Sequence, residues 1–291
     1  MTSRPVLAHR VDGAGEAVLL LNGGMMTISG WDPVAEILAD RFRVVRCDLR
    51  GQLLSPGGPP DSLEAHAGDL AALLDHLGLE RVHVLGTSFG AEAGILFAAL
   101  HPGRTASLLA ATAVDRVTET MRRGVRELRS ACRRDAAGGD RQEMFRLMTP
   151  VVYSEAFLAA HGEALAGRLA AQAEALPAAW FAGVDALLGI METLDLRSHL
   201  AEITCPALVV SAAADRLMPA ARSRALARGI PGARHLTIPG AGHALVVEQP
   251  RRLASAWLDF AAGARDPGPS TPPSTRSAAR RRSPNHKEPG R

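Results

Sequence analysis

Short apolar runs of strand length alternate with helix-length segments along most of this chain, and that alternation leaves few folds open to it. The strand-like runs fall at residues 17–21, 42–47, 82–85, 107–112, 207–210 and 235–238, with helix-like segments between them at 31–39, 62–77, 91–101 and 220–227. A last helix is expected after Pro250, where Leu253, Ala256, Trp257 and Phe260 recur at helical spacing. Strands joined by crossover helices run parallel, and a parallel sheet has to be covered on both faces. The expected class is α/β, a mostly parallel open sheet with helices on both faces.

The alternation stops between about residues 114 and 200. Helical runs at 120–133, 142–148, 155–175 and 178–194 follow one another there, broken at Ala137-Gly138-Gly139 and at Pro177. They are expected to form a helical cap inserted after the strand that ends near Thr112. Strand and helix resume at Thr204-Cys205-Pro206. The chain thus divides into a first core part (1–113), the cap (114–200), a second core part (201–264) and a tail (265–291), with no internal repeat. Apolar residues make up 47% of the 291, enough to fill a sizeable core.

The tail is rich in Pro, Ser and Arg, and is expected to be disordered. It holds seven Lys/Arg against two Asp/Glu, a charge of +5; the whole chain carries +3, which leaves residues 1–264 at −2. The body therefore offers no basic face for nucleic acid. No apolar run reaches 18 residues, so no membrane contact is expected. Met1-Thr2-Ser3-Arg4-Pro5 opens no signal-peptide core. Cys47, Cys132 and Cys205 lie far apart without a C-x-x-C pair, which points to reduced thiols in a cytoplasmic protein, with neither disulfide framework nor zinc site.

Gly86-Thr87-Ser88-Phe89-Gly90 stands between the run at 82–85 and the helix-length segment from Ala91. That is the setting of a nucleophile elbow, where the chain turns so sharply from strand to helix that a serine hydroxyl stands at the edge of the sheet. The turn strains the serine backbone, and side chains at the flanking glycine positions would collide. A serine hydroxyl needs a histidine to take its proton, and the histidine needs a carboxylate to hold its tautomer. In an open parallel sheet such groups converge at the C-terminal ends of strands.

Asp215, in the loop at 212–219, and His243, in Pro239-Gly240-Ala241-Gly242-His243, both follow strand-like runs, and the order Ser, Asp, His suits the elbow. Asp115, just past the strand ending near Thr112, is a rival acid. His83 lies within a strand and reads as a packed or hydrogen-bonded core residue. His101 reads as a helix-end residue, and the remaining histidines follow no strand in a way that would reach Ser88.

A tetrahedral intermediate places negative charge where two backbone N–H groups should meet it. One is that of Phe89. The other is expected from Asn22-Gly23-Gly24-Met25-Met26, with Gly24 or Met25 as donor. Asp48 and Arg50, after the run at 42–47, are expected to fix the geometry of their own loop. Trp180, Phe181, Leu187, Leu188 and Met191 of the cap, with Met25, Met26 and Phe89, suggest an apolar pocket.

Together these residues resemble the α/β-hydrolase superfamily, in particular its capped small serine hydrolases such as enol-lactonases and methylesterases. The likeness covers about residues 5–262. It implies the α/β-hydrolase fold with the cap inserted after the sixth strand. It further implies Ser88 as nucleophile, Asp215 as acid, His243 as base, and Phe89 with Gly24 or Met25 as oxyanion hole. Two departures stand out: the family usually has His-Gly at Asn22-Gly23, and glycine at Leu53. The function expected is hydrolysis of a small, largely apolar carboxylic ester or lactone through an acyl-enzyme, with a small molecule as the partner and neither metal nor cofactor. A thioesterase or C–C bond hydrolase would use the same groups, and a ligand-binding or signalling protein could retain them in vestigial form. Oligomeric state is left open.

Overall fold

The computed structural model describes residues 5–265, so the tail expected at 265–291 lies outside the described residues except for Arg265. In chain order the elements are β1 (His9–Asp12), β2 (Glu16–Leu21), α1 (Asp32–Ala39), β3 (Phe42–Cys47), α2 (Leu63–His76), β4 (Val82–Thr87), α3 (Phe89–Leu100) and β5 (Thr105–Ala111). Four helices follow: α4 (Glu119–Ala136), α5 (Glu143–Val152), α6 (Glu155–Ala175) and α7 (Ala178–Glu192). The chain closes with β6 (Ala207–Ala212), α8 (Ala220–Gly229), β7 (Arg234–Ile238), α9 (Leu245–Glu248) and α10 (Pro250–Arg265).

The strands form one sheet in the order β1-β3-β2-β4-β5-β6-β7, parallel throughout except for β1, which runs antiparallel to β3. The strand-like runs read from the sequence all recur here, and β1 is the addition. Its four residues, His9-Arg10-Val11-Asp12, hold a single aliphatic side chain. An edge strand needs no more, because neither of its faces lies deep in the core.

Alternation along β2 shows how the sheet is covered. Ala17, Leu19 and Leu21 point into the layer made by α2, α3 and α8, whereas Val18 and Leu20 point into the layer made by α1 and α10. α3 is buried along nearly its whole length, as befits an apolar helix at the centre of the sheet. In the opposite layer Trp257 is fully buried, with ring centroids 4.8 Å from Phe42 and 5.5 Å from His83. His83 also pairs with Ser107 at 2.8 Å, so it is the core residue the sequence suggested.

The helical insert leaves the sheet where expected, directly after the strand at 105–111, but that strand is the fifth and not the sixth among the described residues. One antiparallel strand, β1, precedes the parallel series, so the count is lower by one than the resemblance implied. The neck of the insert is closed by a short antiparallel contact. Arg116 bridges Asp195, the Val117 N–H donates to Leu194 O at 3.0 Å, and the Leu196 N–H donates to Asp115 O at 2.9 Å. Entry and exit are thereby tied together, and α4 packs along α7 above the C-terminal ends of the strands. Arg129 on α4 joins Asp185 at 2.9 Å and Glu192 at 2.7 Å on α7.

Candidate active site

At the end of β4 the chain reverses through Ser88 with φ 52° and ψ −130°. A non-glycine residue with positive φ is held there at a cost of order 1–3 kcal/mol. The flanking glycines make the turn possible. A Cβ on Gly86 would stand 2.5 Å from the carbonyl oxygen of Gly90, and one on Gly90 would collide with the carbonyl oxygens of Leu21 and Asn22. The Ser88 N–H donates to Ala111 O at 3.0 Å, which ties the elbow to the next strand. Ser88 lies at the N-terminus of α3 and lines a cavity beneath the helical insert.

His243 lines the same cavity. Its Nδ1 is 2.9 Å from Asp215 Oδ2, which leaves Nε2 for the cavity side. The other oxygen of Asp215 accepts from the N–H groups of Leu217 at 2.9 Å and Met218 at 2.7 Å. Both carboxylate oxygens are therefore committed, and the side chain is fully shielded from solvent. Asp115 is occupied elsewhere: Arg222 grips both its oxygens. The structure thus brings Asp215, and not its rival, to the histidine.

Gly23 and Gly24 pack against the elbow. A Cβ on Gly23 would meet Ser88 Cβ at 3.5 Å, and one on Gly24 would meet Phe89 Cβ at 3.9 Å. Asn22, where the family usually has histidine, braces this loop from below. Its Nδ2 donates to Asp48 Oδ1 at 2.8 Å and to Gln52 Oε1 at 3.3 Å, while Gln52 Nε2 donates to Gly23 O at 2.7 Å. Asp48 also accepts from the N–H groups of Ile28 at 2.8 Å and Leu54 at 2.9 Å. Arg50 turns away to a paired contact with Asp69, at 2.6 and 3.1 Å. Asp48 and Arg50 therefore fix loop geometry, as expected. Gln52 was not singled out in the sequence, where one glutamine in a loop gives no signal.

The cavity measures about 380 Å³, at the low end of the roughly 300–1,000 Å³ of small-molecule sites. Met25, Met26, Phe89, Leu187, Leu188 and Met191 line it as expected, but Trp180 and Phe181 do not. Those two fill the cap's own core: Trp180 stacks on Phe145 with centroids 5.9 Å apart and meets Phe181 edge-on at 5.1 Å. The miss is along the helix and not around it. Residues 180 and 187 are seven apart, two turns on one face, and the two turns amount to about 10 Å of rise. The N-terminal end of α7 packs in the cap, and its C-terminal end reaches the crevice.

The sequence profile of a family described as "alpha/beta hydrolase fold" matches residues 16–250. The chain belongs to the α/β-hydrolase fold family. Over 268 residues it is 31% identical to a protein named "Putative carbamate hydrolase RutD" from Caulobacter sp. (strain K31), covering 88% of this chain and 96% of that one. Among solved structures it is similar to a thermophilic esterase from Thermogutta terrifontis, at 30% identity and TM-score 0.77 over 89% of this chain and 93% of that one. It shares its fold with the enol-lactonase from Burkholderia xenovorans LB400, at 24% identity and TM-score 0.75, over 88% and 96% of the two chains.

Two further features of this α/β-hydrolase fold protein surround the site. Glu248, five residues past His243, accepts from Gly242 N–H at 3.2 Å, from Ser154 N–H at 2.9 Å and from Ser154 Oγ at 2.6 Å. Ser154 also caps α6, so one carboxylate links the histidine loop to the cap. Among the described residues no three His, Cys, Asp or Glu side chains are grouped to hold a metal ion.

Glu92, one turn past Ser88 on α3, is fully buried. Its Oε1 accepts from Val114 N–H at 3.2 Å, and its Oε2 has no partner among the described residues. Burial, with a smaller push from the negative charge of Asp215, raises its carboxyl to about 8 from near 4.5. A carboxyl that holds its proton more tightly when folded contributes stability below the unfolded pKa and loses it as pH rises through the folded one. Stability should accordingly fall between about pH 4.5 and pH 8. Glu92→Gln keeps an acceptor for Val114 and removes the ionisation. Relative to the parent, its melting temperature is expected to improve by a few degrees on going from pH 5 to pH 8. Thermal melts at the two pH values check this, and a gap that does not change with pH would show that Glu92 is not held neutral.

Proposed function

We propose that Ser88, His243 and Asp215 are nucleophile, base and acid of a serine hydrolase that cleaves a small, uncharged, largely apolar carboxylic ester or lactone. The observation that carries this reading is the Asp215–His243 pair, at 2.9 Å, lining one cavity with a serine on a strained elbow. His243 Nε2 takes the Ser88 hydroxyl proton as Oγ attacks the ester carbonyl carbon. The oxyanion that forms is met by the Phe89 N–H and by that of Gly24 or Met25. Collapse expels the alcohol, which receives the proton from His243 and leaves an acyl-Ser88 ester. Water, deprotonated by His243, then attacks that ester and frees the acid. A lactone follows the same course, with its leaving alcohol still attached to the acyl part.

The cavity wall supports the apolar substrate. Among its lining residues there is no Asp, Glu, Lys or Arg, and Arg50 is engaged with Asp69 outside it. The name borne by the RutD relatives favours a second reading, a carbamate, whose carbonyl the same serine would attack. The test is kcat/KM across p-nitrophenyl esters from acetate to palmitate, with one anionic acyl ester and one phenyl carbamate. Each methylene should add up to about 0.8 kcal/mol, a few-fold, until the cavity is full. A rise to a short or medium chain followed by a fall is the expected result. Preference for the anionic ester would overturn the apolar pocket, preference for the carbamate would favour the second reading, and no repeated turnover of any ester would leave a binding protein.

A further inference from the structure

All seven methionines among the described residues line this one cavity. They come from five separate pieces of chain: Met25 and Met26 from the loop after β2, Met144 and Met148 from α5, and one each from α4, α7 and the loop after β6. The lining comprises 32 of 291 residues, so random placement would put about one methionine there. The enrichment therefore belongs to the cavity and not to the composition. Away from it, the described core is built from Leu, Val, Ile, Ala, Cys and aromatic rings.

Methionine is a poor choice for defining a packed wall, because its unbranched side chain adapts to many shapes. What it offers over leucine is a polarizable sulfur that makes favourable contacts with the edge of an aromatic ring. The wall itself holds few rings to receive them. Of Phe89, Phe145 and Tyr153, the second stacks on Trp180 and the third on Phe157. A cavity of about 380 Å³ has room for an aromatic ring. Its lining also holds no Asp, Glu, Lys or Arg to pair with a charged ligand.

Resting on the ester-hydrolase reading above, we propose that the acyl group this cavity selects is an uncharged one bearing an aromatic ring, gripped by the methionine thioethers. An adaptable apolar pocket without that selectivity would accept a saturated ring of the same size equally well, and this contrast supplies the test.

The experiment compares kcat/KM for p-nitrophenyl phenylacetate and p-nitrophenyl cyclohexylacetate, each divided by its rate of alkaline hydrolysis. The aromatic ester should be favoured by roughly tenfold, the summed effect of several sulfur–ring contacts. Met121 on α4 and Met148 on α5 are half-buried and lie on the helical insert, outside the segments that carry Ser88, Asp215 and His243. The double variant Met121→Leu/Met148→Leu conserves volume and should keep the fold, as circular dichroism would show. In that variant the aromatic-to-saturated ratio should fall to about a third of the parent's or less.

A ratio near one in the parent, or a parent-like ratio in the double variant, would overturn the proposal while leaving the ester hydrolase intact. If neither ester is turned over, the hydrolase reading fails by itself. Calorimetric binding of phenylacetamide against cyclohexylacetamide to the parent then decides the pocket, and equal affinity would overturn the thioether grip.

Discussion

Replacing Ser88 with alanine is expected to lower kcat on an activated ester by a factor on the order of 10⁴ or more. The loss should come without unfolding, because the elbow is held by backbone contacts that alanine keeps. Those are the Ser88 N–H to Ala111 O at 3.0 Å and the Ser88 carbonyl to the N–H groups of Ala91 at 2.7 Å and Glu92 at 3.1 Å. Alanine also carries the same Cβ, so the strain at φ 52° is neither relieved nor worsened. The residual rate would come from binding and from the oxyanion hole, neither of which needs the hydroxyl. A serine-directed phosphonate should label the parent at Ser88 and leave the variant unlabelled. Labelling of the variant at another serine would move the nucleophile elsewhere.

The proposed acid gives the second large effect, and a comparison of two aspartates sharpens it. Asp215→Asn should cost a factor on the order of 10³ to 10⁴ in kcat. An amide oxygen kept on the Leu217 and Met218 N–H groups presents its NH₂ to His243 Nδ1. That favours the tautomer with its proton on Nε2, which cannot take one from Ser88. Asp115→Asn should cost little activity, because Asp115 is gripped by Arg222 while His243 pairs with Asp215. Its cost should appear in stability instead, since a half-buried arginine loses its charged partner. Steady-state kinetics with thermal melts on both variants separate these outcomes. Greater loss of activity from Asp115→Asn would mean that the acid has been misassigned.

The elements that the sequence disclosed are those whose signals are local. The five inner parallel strands, β2 to β6, were legible as short apolar runs because both faces of a buried strand need apolar side chains, whereas β7 lies at the far edge with Ile238 as its one buried residue. β1 gave no such signal, since four mostly polar residues on an edge pair through backbone alone. The elbow was legible because sterics at Gly86 and Gly90 forbid any Cβ there, so the chemistry of the turn is written in two residue types. The acid, by contrast, was a choice between Asp215 and Asp115. Both follow strands, and the loop at 212–219 favoured Asp215 without excluding its rival.

The sequence by itself determined the class of sheet, the point at which the helical insert leaves it, and the strand ends that carry Ser88, Asp215 and His243. These depend on side-chain periods of two and 3.6 and on the absence of a Cβ, which act over a few residues. Only the tertiary structure decided which carboxylate meets the histidine, because that depends on Arg222 reaching Asp115 across more than a hundred residues of chain. It also decided that Leu187, Leu188 and Met191 face the cavity while Trp180 and Phe181 do not. Period tells which side of α7 is apolar, whereas the depth to which that helix descends toward the crevice is fixed by its packing along α4.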